Sequence, residues 1–254
     1  MTTHTQDPQV SPLLREVLSA HGGLGRWRQV RTVRATTHTS GLLWGMKGLV
    51  QDPSQARETT VFAHTQRASV YPFGAPDQRT AFTPDRIAIE KLDGRTVAER
   101  ANPRTSFDGH ELNTPWDPLH RAYFNGYAMW TYLTTPFLLA MPGFEISEIE
   151  PWRENGECWR GLRAIFPAHI AGHSRIQEFY FGPDNLLRRH DYHLDVAGGV
   201  ATAHYVHDIV EVDGLRFPFA RRAYVRDANG SPIHDELLVS IDISNMRFDG
   251  TTTE

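Results

Sequence analysis

The spacing of apolar residues changes twice along the chain. Leu13, Leu14, Val17 and Leu18 recur at helical intervals behind Ser11, a capping residue, with Pro12 at the first helical position and Gly22-Gly23 as a stop. The spacing predicts a short N-terminal helix over 12–20. From Val30 onward the period becomes two, and segments 32–39, 42–50, 57–64 and 66–73 read as strands bounded by Gly, Pro or Asp. Segments 86–90 and 96–99 flank Asp93-Gly94, a pair favoured in tight loops, and predict a hairpin.

The rhythm breaks at 114–135. Thr114 is expected as cap, Pro115 as the first helical residue and Asp117 as a carboxylate near the positive helix end, with Pro136 as a stop or kink. On a helix, Trp116, His120, Tyr123, Tyr127, Trp130 and Thr134 share one side, and Leu119, Gly126, Met129 and Leu133 lie beside them. A helix this apolar must be covered. Strand spacing then returns to the end, punctuated by Asn155-Gly156, 182–185, Gly198-Gly199, Asp213-Gly214 and 227–230. Many strands without long crossovers exclude a doubly wound parallel sheet. The predicted fold is mainly β: a curved antiparallel open half-barrel of about ten or more strands wrapped around one long central helix, with a short N-terminal helix. One domain is expected over 11–249, with loose termini at 1–10 and 250–254.

The order of elements resembles the lipoprotein-carrier and lipoprotein-sorting fold, in which an unclosed half-barrel wraps helices and holds acyl chains on its concave side. The chain also resembles a set of bacterial proteins of unassigned function that pair an AHGG helix end with segments like WDPLHRAYFNGYAMWTYLTTPF, HSRIQEFYF and RRHDYHLDVAGGVATAHY. That resemblance spans most of residues 15–245. It implies a ligand-holding architecture and carries no catalytic residue with it.

Composition narrows the partners. In 254 residues, 26 Lys and Arg face 30 Asp and Glu, and the resulting net charge of −4 argues against a nucleic-acid binder. No run of 18 apolar residues offers a transmembrane segment, and the first 23 residues show neither a basic start nor an apolar core of an export signal. With the single Cys158 read as a packed small hydrophobe, a cytoplasmic setting is expected.

Thirteen histidines are the unusual feature. If Gly198-Gly199 forms a two-residue turn, His190 opposes His207 and Tyr192 opposes Tyr205; a loop of odd length would break these pairs. In that register His190, Tyr192, Leu194, Ala203, Tyr205 and His207 form the more apolar face, expected toward the helix. His193, His204, Asp191 and Asp208 fall on the other face, where they would suit a divalent ion if they converged. No zinc-type spacing is present, however, and no metal or organic cofactor is expected. His169 and His173 read as loop residues. The GxSxG elbow and the phosphate-binding glycine patterns are absent, and Arg221 and Arg222 point to opposite faces of a strand.

Two functions follow from this reading. The first is a protein binding a hydrophobic small molecule or lipid-like ligand in the cleft between sheet and helix, walled by Trp116, Tyr123, Tyr127 and Trp130, with Phe137, Leu138, Leu139 and Met141 as rim. The alternative is a cofactor-independent enzyme in the same cleft, with His120, His190 or His207 as general base and Tyr192 or Tyr205 as donor, acting on a small apolar carbonyl or phenolic substrate.

Overall fold

A computed structural model of the chain describes residues 11–250. Thirteen strands form one antiparallel sheet: β1 (Val30–Ser40), β2 (Arg57–Phe62), β3 (Ala68–Tyr71), β4 (Gln78–Thr83), β5 (Arg86–Lys91), β6 (Thr96–Ala101), β7 (Glu145–Glu154), β8 (Glu157–Ile165), β9 (Ile176–Phe181), β10 (Leu187–Leu194), β11 (Val200–Val212), β12 (Leu215–Arg226) and β13 (Pro232–Gly250). Their order is 6-5-4-3-2-1-13-12-11-10-9-8-7. Two meanders, 1–6 and 7–13, are thus laid down in succession and joined where β13 pairs with β1. Strands β6 and β7 stand at the edges, so the sheet stays an open half-barrel. The hairpin at Asp93-Gly94 joins β5 to β6 as its sequence implies.

Helix α1 (Pro12–Ala20) begins as expected. Ser11 accepts the Leu14 N–H at 3.3 Å, Pro12 opens the helix, and Leu13, Leu14, Val17 and Leu18 are buried. After α2 (Leu24–Trp27), the predicted strand over 42–50 is instead a short helix, α3 (Leu42–Met46), which buries Leu43 and Trp44. The expectation of loose ends at 1–10 and 251–254 concerns residues outside those described. Gly250 itself belongs to β13, opposite Val30.

The central helix, α4 (Pro118–Thr134), starts later than its sequence suggested. Asp117 is the cap: its carboxylate accepts the His120 N–H at 2.8 Å, and its own N–H donates to His120 Nδ1 at 3.1 Å. This is a reciprocal capping box with histidine in the usual place of Glu or Gln. Thr114 is unavailable for that role because its hydroxyl oxygen accepts the Glu111 N–H. Pro118, not Pro115, is therefore the first helical residue. The helix leans on β2 to β6 and presses against β4 at Gly126, where a Cβ would stand 2.3 Å from Phe82 Cγ.

Candidate functional site

On its other flank α4 does not interlock with the sheet. A narrow crevice runs between the helix and β13, β1, β2 and β3, lined by Phe124, Ala128, Met129, Val239 and Ile241, with Tyr132 from the helix and Trp44 from α3. Arg57, Asn125 and three threonines, 37, 39 and 59, supply its polar atoms. Only about 20 Å³ of it is open to water. A second cavity of about 360 Å³ opens across the gap between the two meanders, with Tyr123 and Phe166 in its wall and the Arg104–Asp195 ion pair, at 3.0 Å, beside them.

Beyond Tyr132 lies a sealed polar cluster. The Tyr132 hydroxyl sits 2.7 Å from His173 Nε2 and 3.3 Å from the Tyr192 hydroxyl, which is 3.3 Å from His204 Nδ1. The rings of His173 and Tyr192 stack at 3.9 Å. His190 meets Gln177 Oε1 at 2.7 Å, and because the Gln177 amide N–H₂ already donates to the Ser174 carbonyl, His190 must donate from Nε2. Arg221 donates to the Tyr132 carbonyl at 2.9 Å and lies over its ring. Burial drives His173, His190 and His204 well below the usual imidazole range, so all three are neutral at pH 7. Burial likewise lowers Arg221, to about 10, which leaves it charged.

This arrangement corrects the expected register. Residues 195–199 connect β10 to β11, with a 3-10 turn over Asp195–Ala197 ahead of the two glycines, so His190 faces His204 and Tyr192 faces Thr202. The shift from the two-residue turn is odd, and an odd shift moves every side chain of one strand to the opposite face. His190 and Tyr192 therefore point inward as expected, but their inward partner on β11 is His204. Tyr205 lies on the outer face with Trp159, Tyr180 and Ala203, donating to Glu154 at 2.8 Å, and His207 is exposed. The proposed ion-binding set does not converge. His204 is inside, Asp191 is held by Arg189 and Arg226 on the outside, and His193 and Asp208 are exposed. No group of three or more metal-ligating side chains assembles among the described residues.

The other expected residues are scattered. His120 is engaged in the α4 cap and approaches the Ser106 carbonyl, remote from His190. Trp116 packs on Phe107 and Phe124 under the Lys47 ammonium, and Trp130 donates its indole N–H to the Phe62 carbonyl. Tyr127 is buried beside His173 with its hydroxyl unpartnered. Tyr123 borders the larger cavity, and none of these four aromatics lines the crevice. The residues that do define the crevice and cluster, Arg57, Tyr132, His173, Gln177 and Arg221, come from four separated segments. Only the inward placement of one residue of the Arg221-Arg222 pair was legible in advance: Arg222 faces out, paired with Asp242.

An unclosed antiparallel half-barrel around a buried helix is the fold this chain shares with solved structures of little sequence similarity. Over 95% of this chain and 94% of the other, the structure is similar to that of a LolA superfamily protein from Nitrosomonas europaea, with a TM-score of 0.51 and 8% identity. It is also similar to a domain described as an outer membrane lipoprotein-sorting protein from Vibrio parahaemolyticus, with a TM-score of 0.54 and 9% identity over 95% and 92% of the two chains. No protein-family model and no curated protein matches the chain in sequence.

Proposed function

We propose that the protein binds a hydrophobic small molecule or lipid-like ligand in the cleft between the curved sheet and α4. The observation that carries this is the crevice itself, a narrow, mostly apolar seam along one side of α4 that the sheet does not close completely, while the opposite side is locked to Phe82. Small-molecule sites have this character: mostly apolar walls with a few placed polar groups. Met129 supplies a wall that can re-form around an entering chain, because its thioether side chain is flexible. The likeness to lipoprotein-sorting structures agrees with this reading through the fold.

Acid–base catalysis is the weaker reading. His190 and Tyr192 are the expected catalytic pair that falls on the inner face, and both are sealed. Around them stand Tyr132, His173, Phe179 and His204, all buried, so a substrate would have to displace packed side chains to reach either group. Native mass spectrometry of the purified protein tests the binding reading. A retained apolar molecule is expected, and Ala128→Phe, which fills the crevice, should lose it. Ala168→Trp, at the edge of the larger cavity, should keep it. Loss in the second variant and retention in the first, with both folded by circular dichroism, would place the ligand elsewhere.

A further inference from the structure

Arg57, at the start of β2, lines the crevice, and Arg121, in the first turn of α4, lies outside its lining but over Trp44, one of its walls. Arg57 is nine-tenths buried and has no hydrogen-bond partner for Nη1, while Nη2 donates to the Gln55 side-chain oxygen. Arg121 stands 4.7 Å from the centre of the Trp44 ring. It donates to the Val50 carbonyl and the Gln51 side-chain oxygen, and its Nε is unpartnered. Neither arginine makes an ion pair among the described residues. Asp52, the acid within electrostatic reach of Arg57, receives both the N–H and the hydroxyl of Ser54.

Arg189 shows how a buried arginine can be neutralised within the fold: it is fully enclosed, and Asp191 grips it at 2.6 and 2.7 Å. The charge of Arg57, by contrast, bears on Arg121, whose guanidinium is held down to about 10 by burial first and by that neighbour second. Two cations sharing partial cover are unfavourable unless an anion offsets them. Arg221 is fully buried behind Tyr132 and outside the crevice lining, so it is not placed to meet a head group entering there. From Arg121 to Tyr132 the helix advances by about 16 Å along the apolar strip. That geometry sets guanidinium charge beside one end of a narrow apolar seam, which must widen from its roughly 20 Å³ of open space to take an alkyl chain.

We infer that the crevice takes a single-chain amphipath whose anionic oxyacid head, a carboxylate or a phosphate monoester, is held by Arg57 and Arg121 while its chain runs toward Tyr132. The inference rests on the cleft reading above and specifies its ligand class. Guanidinium groups suit both heads because their N–H fork matches a pair of acid oxygens.

Calorimetric titration of the full chain with laurate, dodecyl phosphate and dodecanol, which share one tail, tests it. At least one anion should bind about tenfold or more tighter than the alcohol. A gain for laurate alone identifies a carboxylate head, and a gain for dodecyl phosphate alone a phosphate. In an Arg57→Gln/Arg121→Gln variant the anions should fall to the alcohol's affinity, with alcohol binding kept; the comparison on the unaltered protein stands even if that variant misfolds. Equal binding of all three compounds to the unaltered protein, or anion affinity unchanged in a folded variant, would overturn the head assignment and leave the cleft reading intact. Binding of none would overturn both.

Discussion

Replacing Gly126 by alanine sets helix propensity against packing, and the structure says which wins. In mid-helix, alanine is favoured over glycine by about 0.8–1 kcal/mol. Here the added Cβ would lie 2.3 Å from Phe82 Cγ and 2.6 Å from its Cβ and Cδ2. These are the root of the side chain, and the ring is buried and packed against Tyr123 at 5.5 Å, so it cannot swing aside. Restoring an ordinary carbon–carbon contact of about 3.5 Å requires α4 and β4 to part by roughly 1 Å. Overpacking costs about 1–3 kcal/mol, and contacts this short against a ring that cannot move fall in the upper part of that range, about 2–3 kcal/mol. Once the propensity gain is subtracted, a net loss of about 1–2 kcal/mol is expected, or a melting temperature lower by roughly 2–8 °C for a chain of this size. Urea unfolding followed by circular dichroism should show a lower midpoint with an unchanged slope. Gly45→Ala, in α3 with open space around its Cβ, is the matched control and should be neutral or stabilising by up to about 1 kcal/mol. Gly126→Ala as stable as the parent, or indistinguishable from the control, would refute the close seating of α4.

Three further outcomes can be checked on the same instrument. Asp191→Ala strips the fully buried Arg189 of its bidentate partner and should cost about 3–5 kcal/mol; a loss under about 1 kcal/mol would contradict the burial of that pair. Asp117→Ala removes the α4 cap and should cost about 0.5–2 kcal/mol, whereas Thr114→Ala, outside the helix, should cost less. His173, His190 and His204 stay neutral in the folded chain, while in the unfolded chain they titrate near 6.5. Above that pH both states are unprotonated and nothing is lost. Below it only the unfolded chain gains protons, so stability should fall by about 1 kcal/mol per histidine, or ~3 kcal/mol in all, between about pH 6.5 and 5.5. Unfolding free energies that stay flat over that interval would show the three rings to be solvated.

Local chemistry carried a large part of the fold. Ser11 with Pro12 starts α1, Asp93-Gly94 turns β5 into β6, and the two-residue period announces an antiparallel sheet, because each of these signals acts between residues a few positions apart. The apolar girth of 118–134 likewise required a covered helix, which α4 is. The start of that helix was less legible: Thr114 and Asp117 are both good caps, and the choice fell to Asp117 once a turn from Glu111 had taken the Thr114 hydroxyl.

The site depended on distances the sequence does not encode. Five residues rather than two connect β10 to β11, with Asp195 tied to Arg104 on a remote turn, and this alone exchanged Tyr205 for His204 on the inner face. A side chain's face alternates with every residue, so one tertiary contact that alters loop length by an odd number reassigns a whole strand. The crevice was beyond local reading for a related reason. Arg57 and Arg121 are separated by four strands and a 3-10 turn, and only the packing of α4 on β2 to β6, at the depth that Gly126 allows, brings both beside the same crevice.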